Sequence, residues 1–400
     1  MRGKARGAGA GACSLGTILI VCFQVLCTLF LAVFLQRGSP AEAEALKRVP
    51  SHLTVPQHQA DELAALRGSV QQVVGDMQQL KEHAEKAPVD KVPVAHIPAA
   101  PLVPPAQPKH AILALAKGIE LPWAHRFIAS LRRHMPANSG VDVHLWVHRD
   151  DVKGQLAALF ELHRVQLHEF SEADLPSAAA GYHPSTYRWM QMRDWMKEVG
   201  AGGAQPYEAV MFTDSRDTVF QGNPFTAMQA ALGGSAGRGF FAFQEAKPTT
   251  IGQCGWNSGW VKDCFGPDGL AAVASNVISC SGTSMGTWEQ ALAYATLMGD
   301  TAESNPRSCE RNGVDQGFHN YFVHAEGGKA IPDLHLVSNE EGWIATVQGM
   351  RSVTRDEWGR VLNQRGEPVA VVHQYDRSPH LTKQFTGEYP LIPQEQRGLK

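Results

Sequence analysis

The chain predicts an α/β domain with a mainly parallel sheet, carried behind an apolar anchor and an extended stem. Three observations lead there. From Lys109 onward, short apolar runs alternate with segments of helical period, the order that builds a parallel sheet with helices on both faces. The buried-looking run Val210-Met211-Phe212 is followed at once by Asp214, Arg216 and Asp217, so two acids stand where a strand ends, and open α/β sheets bind ligands at that edge. Residues 15–35, LGTILIVCFQVLCTLFLAVFL, contain a single Gln and no charge, a length that crosses a hydrocarbon core as a helix.

The N-terminal third divides by composition. Arg2, Lys4 and Arg6 precede the apolar run and only Arg37 follows closely. The positive-inside rule then makes 1–14 a cytosolic tail and 15–35 an uncleaved signal anchor, with everything after it lumenal. A cleaved signal peptide is the rival, since Ala41-Glu42-Ala43 has small residues at a cleavage spacing, but the apolar core of a signal is usually shorter. The expected place is a Golgi or ER membrane, single-pass type II. Residues 36–108 read as a stem. Within it Leu63, Leu66, Val70, Val73, Met77, Leu80 and Ala84 form a heptad seam along a helix over 61–86, which fits either a weak homodimeric coiled coil or a lone amphipathic helix. Gly68 and Gly75 each cost that helix about 1 kcal/mol. Seven prolines between Pro88 and Pro108 then make 88–108 an extended spacer.

Charge excludes one class of partner. A formal net charge of −3 offers no basic footprint for nucleic acid. Cysteine placement follows the topology: Cys13, Cys22 and Cys27 lie in or beside the anchor, while Cys254, Cys264, Cys280 and Cys309 share one later segment. In an oxidising lumen an even set implies two disulfides. Proximity in sequence favours Cys254–Cys264 with Cys280–Cys309, against the alternative of four reduced core thiols.

The domain 109–400 unfolds element by element. HAILALA (110–116) is a buried strand ended by Gly118, and the helix after it carries Phe127, Leu131 and Met135 on one face. VDVHLWVH (141–148) alternates in strand period, a helix follows around 153–163, and VQLHEF is the third strand. A helix over roughly 184–198 leads into the strand at Val210. The domain has neither a G-x-G-x-x-G turn nor a G-K-[ST] loop, so phosphates here would need another means of neutralisation.

Two carboxylates at a strand end supply one. Asp and Glu oxygens are the natural ligands of Mg²⁺ or Mn²⁺, and such an ion can bridge a diphosphate. The plain alternative is a turn capped by Asp214 with Asp217 paired to a base. Three distant stretches add weight to the metal. PVAVVHQYDRSPHL (368–381) reads as a strand ending in His373, a good Mn²⁺ ligand. GVDQGFHNYF (313–322) starts a helix near Asp315-Gln316, where an N-cap Asp is the bland reading. SCSGTSMGTWEQAL (279–292) has small residues that either permit close approach of a ligand or make an ordinary Ser/Gly loop before a helix at Trp288.

In this order, TDSRDTVFQ, CSGTSMGT, GVDQGFHNY and VVHQYDR resemble the motifs of GT-A fold glycosyltransferases. FTDSRD is similar to the D-x-x-D form of the D-x-D motif in the sugar-transferring domain of collagen lysyl hydroxylases, and the whole series looks like a group of nucleotide-diphospho-sugar transferases. The resemblance covers about 109–385. It implies a GT-A nucleotide-sugar-binding domain, a nucleotide-sugar donor, with a UDP-sugar favoured, and Mn²⁺ or Mg²⁺. Residue by residue, Asp214, Asp217 and His373 match the metal ligands, and Asp315-Gln316 matches the D-Q pair beside the donor sugar in family 8 glycosyltransferases. Arg188 matches a basic residue that touches the donor, although Arg193 lies on the same helix. Ser215 and Arg216, inside the acidic motif, are further candidates for donor contact.

The expected activity is transfer of a sugar to a glycan or glycoprotein acceptor. Retention is favoured because the D-Q pair resembles retaining families. An inverting enzyme would need a base, for which Asp315, Glu341 and Asp263 are candidates. A lumenal sugar-binding module without catalysis, or a metal-dependent phosphoester hydrolase, are the readings from other classes.

Overall fold

The computed structural model describes residues 109–391, apart from 204, 235–236, 247–248, 305–308 and 310–311. The expected anchor at 15–35 and stem at 36–108 lie outside the described residues. Among the described residues no helix is long and apolar enough to cross a membrane.

The chain opens as expected, with β1 (His110–Leu115), α1 (Leu121–His134), β2 (Val141–His148), α2 (Gly154–Leu162), β3 (Gln166–Phe170), α3 (Pro184–Gly200) and β4 (Ala209–Thr213). There follow β5 (Thr218–Phe220), α4 (Pro224–Ala231), β6 (Phe240–Gln244), α5 (Gly255–Val273), β7 (Ser279–Thr287), α6 (Trp288–Ser304) and α7 (Val314–His324). The remaining principal elements are β8 (Leu334–Val337), β9 (Ile344–Thr346), β10 (Val371–His373) and α8 (Pro379–Glu388).

Seven strands form the main sheet in the order β3-β2-β1-β4-β7-β6-β8. All neighbours run parallel except at β7, which is antiparallel to both β4 and β6. The central strands bury both faces, which is why they read as unbroken apolar runs. Along β1, Ala111 and Leu113 face a layer with Trp189, Tyr294 and Phe318 from α3, α6 and α7. Ile112 and Ala114 face the opposite layer with Phe127 and Phe160 from α1 and α2.

Two parts of this architecture depart from the sequence reading. The Ser/Gly stretch at 279–287 is a nine-residue strand in the middle of the sheet, not a loop. Its residues are small, so neither strand period nor β-branched content marks it. The strand ending in His373 belongs to a separate three-stranded sheet, β5-β10-β9, where it pairs antiparallel with β5 and parallel with β9.

The expected cysteine pairing is also corrected. Cys264 is bonded to Cys309, and Cys254 and Cys280 are free thiols. Cys254 caps the N-terminus of the helix that carries Cys264, and a helical rise of about 1.5 Å per residue holds positions ten apart well beyond disulfide reach. Cys280 sits inside β7, fully packed. Adjacency in sequence misled because it ignored the rigid element between the first two thiols.

Candidate metal and donor site

The acidic motif occupies the passage from one sheet to the other. β4 ends at Thr213, and the Asp214 amide extends its ladder by one bond, donating to the Gly282 carbonyl of β7 at 2.8 Å. Ser215 Oγ donates to the Leu115 carbonyl at the end of β1, 2.6 Å away, and pins the turn. Two residues later Asp217 leads into β5. Because β10 pairs with β5 so that His373 stands opposite Thr218, the imidazole lands beside Asp217. His373 Nε2 is 3.3 Å from Asp214 Oδ2 and 3.6 Å from Asp217 Oδ1. One ligand atom from each of the three residues lies within 4.8 Å of the others. The His373 side chain is fully buried and that of Asp217 is 12% exposed, whereas Asp214 is 34% exposed, so the cluster opens to solvent on the Asp214 side.

Gly282 makes this approach sterically feasible. A Cβ there would overlap the His373 ring and stand 2.5 Å from Asp214 Oδ2. A strand residue at this position must therefore be glycine, and the small composition of β7 acquires a local reason.

Behind the cluster, α3 delivers Arg188, whose side chain is 6% exposed. It pairs closely with Asp214 Oδ1, and its other nitrogen donates to the Ser281 carbonyl at 3.2 Å and to Asp315 Oδ2 at 3.3 Å. Asp315 accepts a second bond from Ser281 Oγ at 3.1 Å. The N-cap of α7 is Gly313, at φ 81°, so Asp315 is not the cap; its carboxylate turns inward instead. Arg193, the rival base on α3, faces away and pairs with Asp194, Asp300 and Glu303.

Charge at the site is tightly coupled. Burial would raise the Asp214 carboxyl, but the Arg188 guanidinium and His373 hold it well below the usual range. For Asp315 burial prevails over Arg188 and pushes the carboxyl up. Burial works against protonation of His373, yet Cys280, Asp217 and Asp214 around it hold the imidazole well above its ordinary value. Two carboxylates and one imidazole converging on a partly open point are a donor set suited to Mn²⁺ or Mg²⁺.

Other expected residues fall elsewhere. The Arg216 side chain is 66% exposed and points to Asp376, 3.8 Å away, and over the Trp123 ring, so it does not approach the Asp214 carboxylate. Ser215 spends its hydroxyl on β1. Glu341 is exposed and paired with Arg365 at 3.0 Å, and Asp263 is half-buried on α5. Gln316 does lie at the site, bonded through Nε2 to Glu245 Oε1 at 3.2 Å and to Asn257 Oδ1 at 3.1 Å.

Glu245 was missed in the sequence, and Cys280 was assigned there to a disulfide instead of to this site. Glu245 follows the run FFAFQ at the end of β6, the same apolar-run-then-acid signal that marks Asp214, so the rule that found one would have found the other. Burial pushes its carboxyl up, opposed by Gln316, His373 and Cys280. Cys280 Sγ lies 3.6 Å from His373 Nδ1, and only the register of β7 places it there.

Comparison with known proteins finds no matching family model and no matching curated protein. Solved structures do match. An active-site mutant of LgtC aligns at 11% identity and TM-score 0.40, covering 72% of this chain and 99% of LgtC. The apo form of the bifunctional glycosyltransferase WbbM aligns at 15% identity and TM-score 0.43, over 72% of this chain and 51% of that one. Core-mannan synthase A from Aspergillus fumigatus, in an Mn/GDP form, aligns at 13% identity and TM-score 0.33, over 58% and 73%.

Proposed function

We propose that the domain 109–400 is a metal-dependent glycosyltransferase of GT-A type. It moves a sugar from a nucleotide-sugar, with a UDP-sugar the first choice, to a glycan or glycoprotein acceptor. The observation that carries this is the convergence of Asp214, Asp217 and His373 at the strand ends, backed by Arg188 and Asp315. Asp214, Asp217 and His373 would hold Mn²⁺ or Mg²⁺, which when bound supplies positive charge to the departing diphosphate. Arg188 keeps Asp214 oriented and ties it to Asp315, so the metal side and the sugar side of the site share one guanidinium. Asp315 has its carboxylate engaged by Arg188 and Ser281, which suits a residue that orients the donor sugar better than a mobile base. That favours retention.

The proposal extends to the rest of the chain. Residues 1–14 face the cytosol, 15–35 anchor the protein as a type II membrane protein of the Golgi or ER, and 36–108 hold the domain off the membrane and permit a homodimer. Protease protection of the chain in sealed microsomes, with resistance to alkaline carbonate extraction, tests this topology; release of a soluble lumenal form rejects it. The activity is tested by incubating the detergent-solubilised chain with a panel of nucleotide-sugars and Mn²⁺ and reading nucleotide release. Release that requires both the metal and one donor supports the reading. UDP binding insensitive to Mn²⁺ in calorimetry would overturn it.

A further inference from the structure

Tryptophan is on average a well-buried residue, yet Trp256, in the first turn of α5, is 70% exposed. Its place in the fold ties it to the site. The next residue, Asn257, is buried and accepts a bond from Gln316 Nε2 at 3.1 Å, so this turn of α5 is docked on the start of α7. One turn further along α5, Trp260 lies against the same part of α7. A Cβ at Gly313 would stand 2.5 Å from Trp260 Cζ2, and one at Gly317 would stand 2.7 Å from Trp260 Cβ. The indole of Trp260 is therefore held on the turn that carries Asp315 and Gln316. Trp256 extends that surface outward, with its ring centroid 5.9 Å from that of Trp260 and the planes tilted by 36°. Gly255 beside it has open space where a Cβ would be, so no side chain at that position screens the exposed ring. The two indoles form one aromatic strip that starts next to the Asp315-Gln316 pair and ends in solvent.

We propose that Trp256 is a platform for the acceptor, stacking its indole on the apolar face of an uncharged saccharide ring. Charge selects this occupant. From Pro248 to Val261 the chain contains no charged residue, so the surface around Trp256 offers no complement to an acidic or basic peptide. A segment that rests on a membrane carries Lys or Arg beside its aromatic residues, and this one does not. A pyranose ring presents a face of C–H bonds, which an aromatic π-face attracts through its negative quadrupole, and its hydroxyls are neutral. Calling that saccharide the acceptor rests on the glycosyltransferase reading; its stacking on Trp256 does not.

Trp358 provides an internal control, since it is also 70% exposed but has Arg360 over its ring. The full chain, solubilised in a detergent without a sugar head group, is footprinted with hydroxyl radicals, and mass spectrometry reads oxidation of Trp256 relative to Trp358. The probes are lactose, maltose, mannobiose and diacetylchitobiose at millimolar concentration. At least one of them should protect Trp256 and leave Trp358 exposed. Saturation-transfer NMR then gives the affinity of that disaccharide. It should be about tenfold weaker in Trp256→Ala, largely retained in Trp256→Phe and unchanged in Trp358→Ala. An oxidation ratio indifferent to all four disaccharides overturns the proposal. So does protection by phosphatidylcholine vesicles in place of the sugars, or a Trp256→Ala variant that binds like the wild type. A disaccharide that protects Trp256 in a chain unable to bind UDP with Mn²⁺ upholds the platform and rejects the glycosyltransferase reading. UDP binding with Mn²⁺ in a chain that no disaccharide protects does the reverse.

Discussion

At the scale of single residues, the cluster depends on groups that have little freedom to change. Gly282→Ala would force a methyl between His373 and Asp214, and overpacking of this kind costs about 1–3 kcal/mol. We expect a lower melting temperature together with loss of metal-dependent UDP binding; an alanine variant with unchanged binding would show that the three ligands do not need their present spacing. Asp217→Asn keeps the shape and removes one charge, so calorimetric titration of UDP should lose its dependence on Mn²⁺. His373→Ala should weaken the same binding, with partial recovery at excess Mn²⁺, because both acids remain. If the cluster were only an acid–base turn, these substitutions would lower stability and leave metal-dependent binding alone. The sequence made Asp214 and His373 legible through one signal, a polar residue at the end of an apolar run, and Asp217 through its place three residues after Asp214. It could not separate Arg188 from Arg193, because both lie on α3 and only tertiary packing decides which one points at Asp214. Arg216 misled for a related reason: adjacency along a turn does not set direction, and its guanidinium found Asp376 and Trp123 instead.

At the scale of elements, strands with bulky apolar residues were readable and those without were not. β1, β2 and β4 are buried on both faces and say so in Val, Ile, Leu and Phe. β7 lies at the centre of the same sheet, yet its sequence SCSGTSMGT carries close-approach residues where others carry bulk. The strand ending in His373 was readable, but β5 spans only three residues, too short to show a period, so its pairing with β10 into a small sheet could not be foreseen. The Cys264–Cys309 bond joins α5 to the segment before α7 across a separation of 45 residues. A loop of that size should contribute about 4 kcal/mol by the chain-entropy account. Non-reducing peptide mapping of the native domain should therefore recover one crosslinked peptide pair, Cys264 with Cys309. Cys254 and Cys280 should become alkylated on unfolding without reductant. Reduction should lower the unfolding midpoint, and a midpoint indifferent to reductant would count against the assignment.

At the scale of the whole molecule, several histidines must stay neutral for the fold to hold. His144 is 2% exposed, bonded to His168 and Tyr207 at 2.9 Å each, and burial lowers it to about 3. His319 is wholly buried, sits between the Tyr294 hydroxyl at 2.6 Å and Ser279 Oγ at 2.8 Å, and is likewise lowered to about 3, first by burial. A folded value depressed below the unfolded 6.5 means that the unfolded chain takes up protons first. The stability these groups permit is complete above pH 6.5 and is lost as pH falls from there toward 3. At pH 5 each should cost about 2 kcal/mol relative to pH 7. His144→Gln removes one such group, so its stability deficit against the wild type, measured by urea titration, should shrink by about that amount between pH 7 and pH 5. A deficit constant across that range would refute the neutral-histidine account.

The small sheet has a bearing on truncated chains. β10 is its central strand, flanked by β5 and β9, and it alone brings His373 to the acids. A reading frame stopped anywhere between Val337 and Val371 would still encode every strand of the seven-stranded sheet, along with Asp214, Asp217, Arg188 and Asp315. Such a product would look nearly complete by length, yet β5 would have no partner strand and the acids no imidazole. Late stop codons in this chain should accordingly be scored as loss of the Asp214–Asp217–His373 cluster, not as the trimming of a tail.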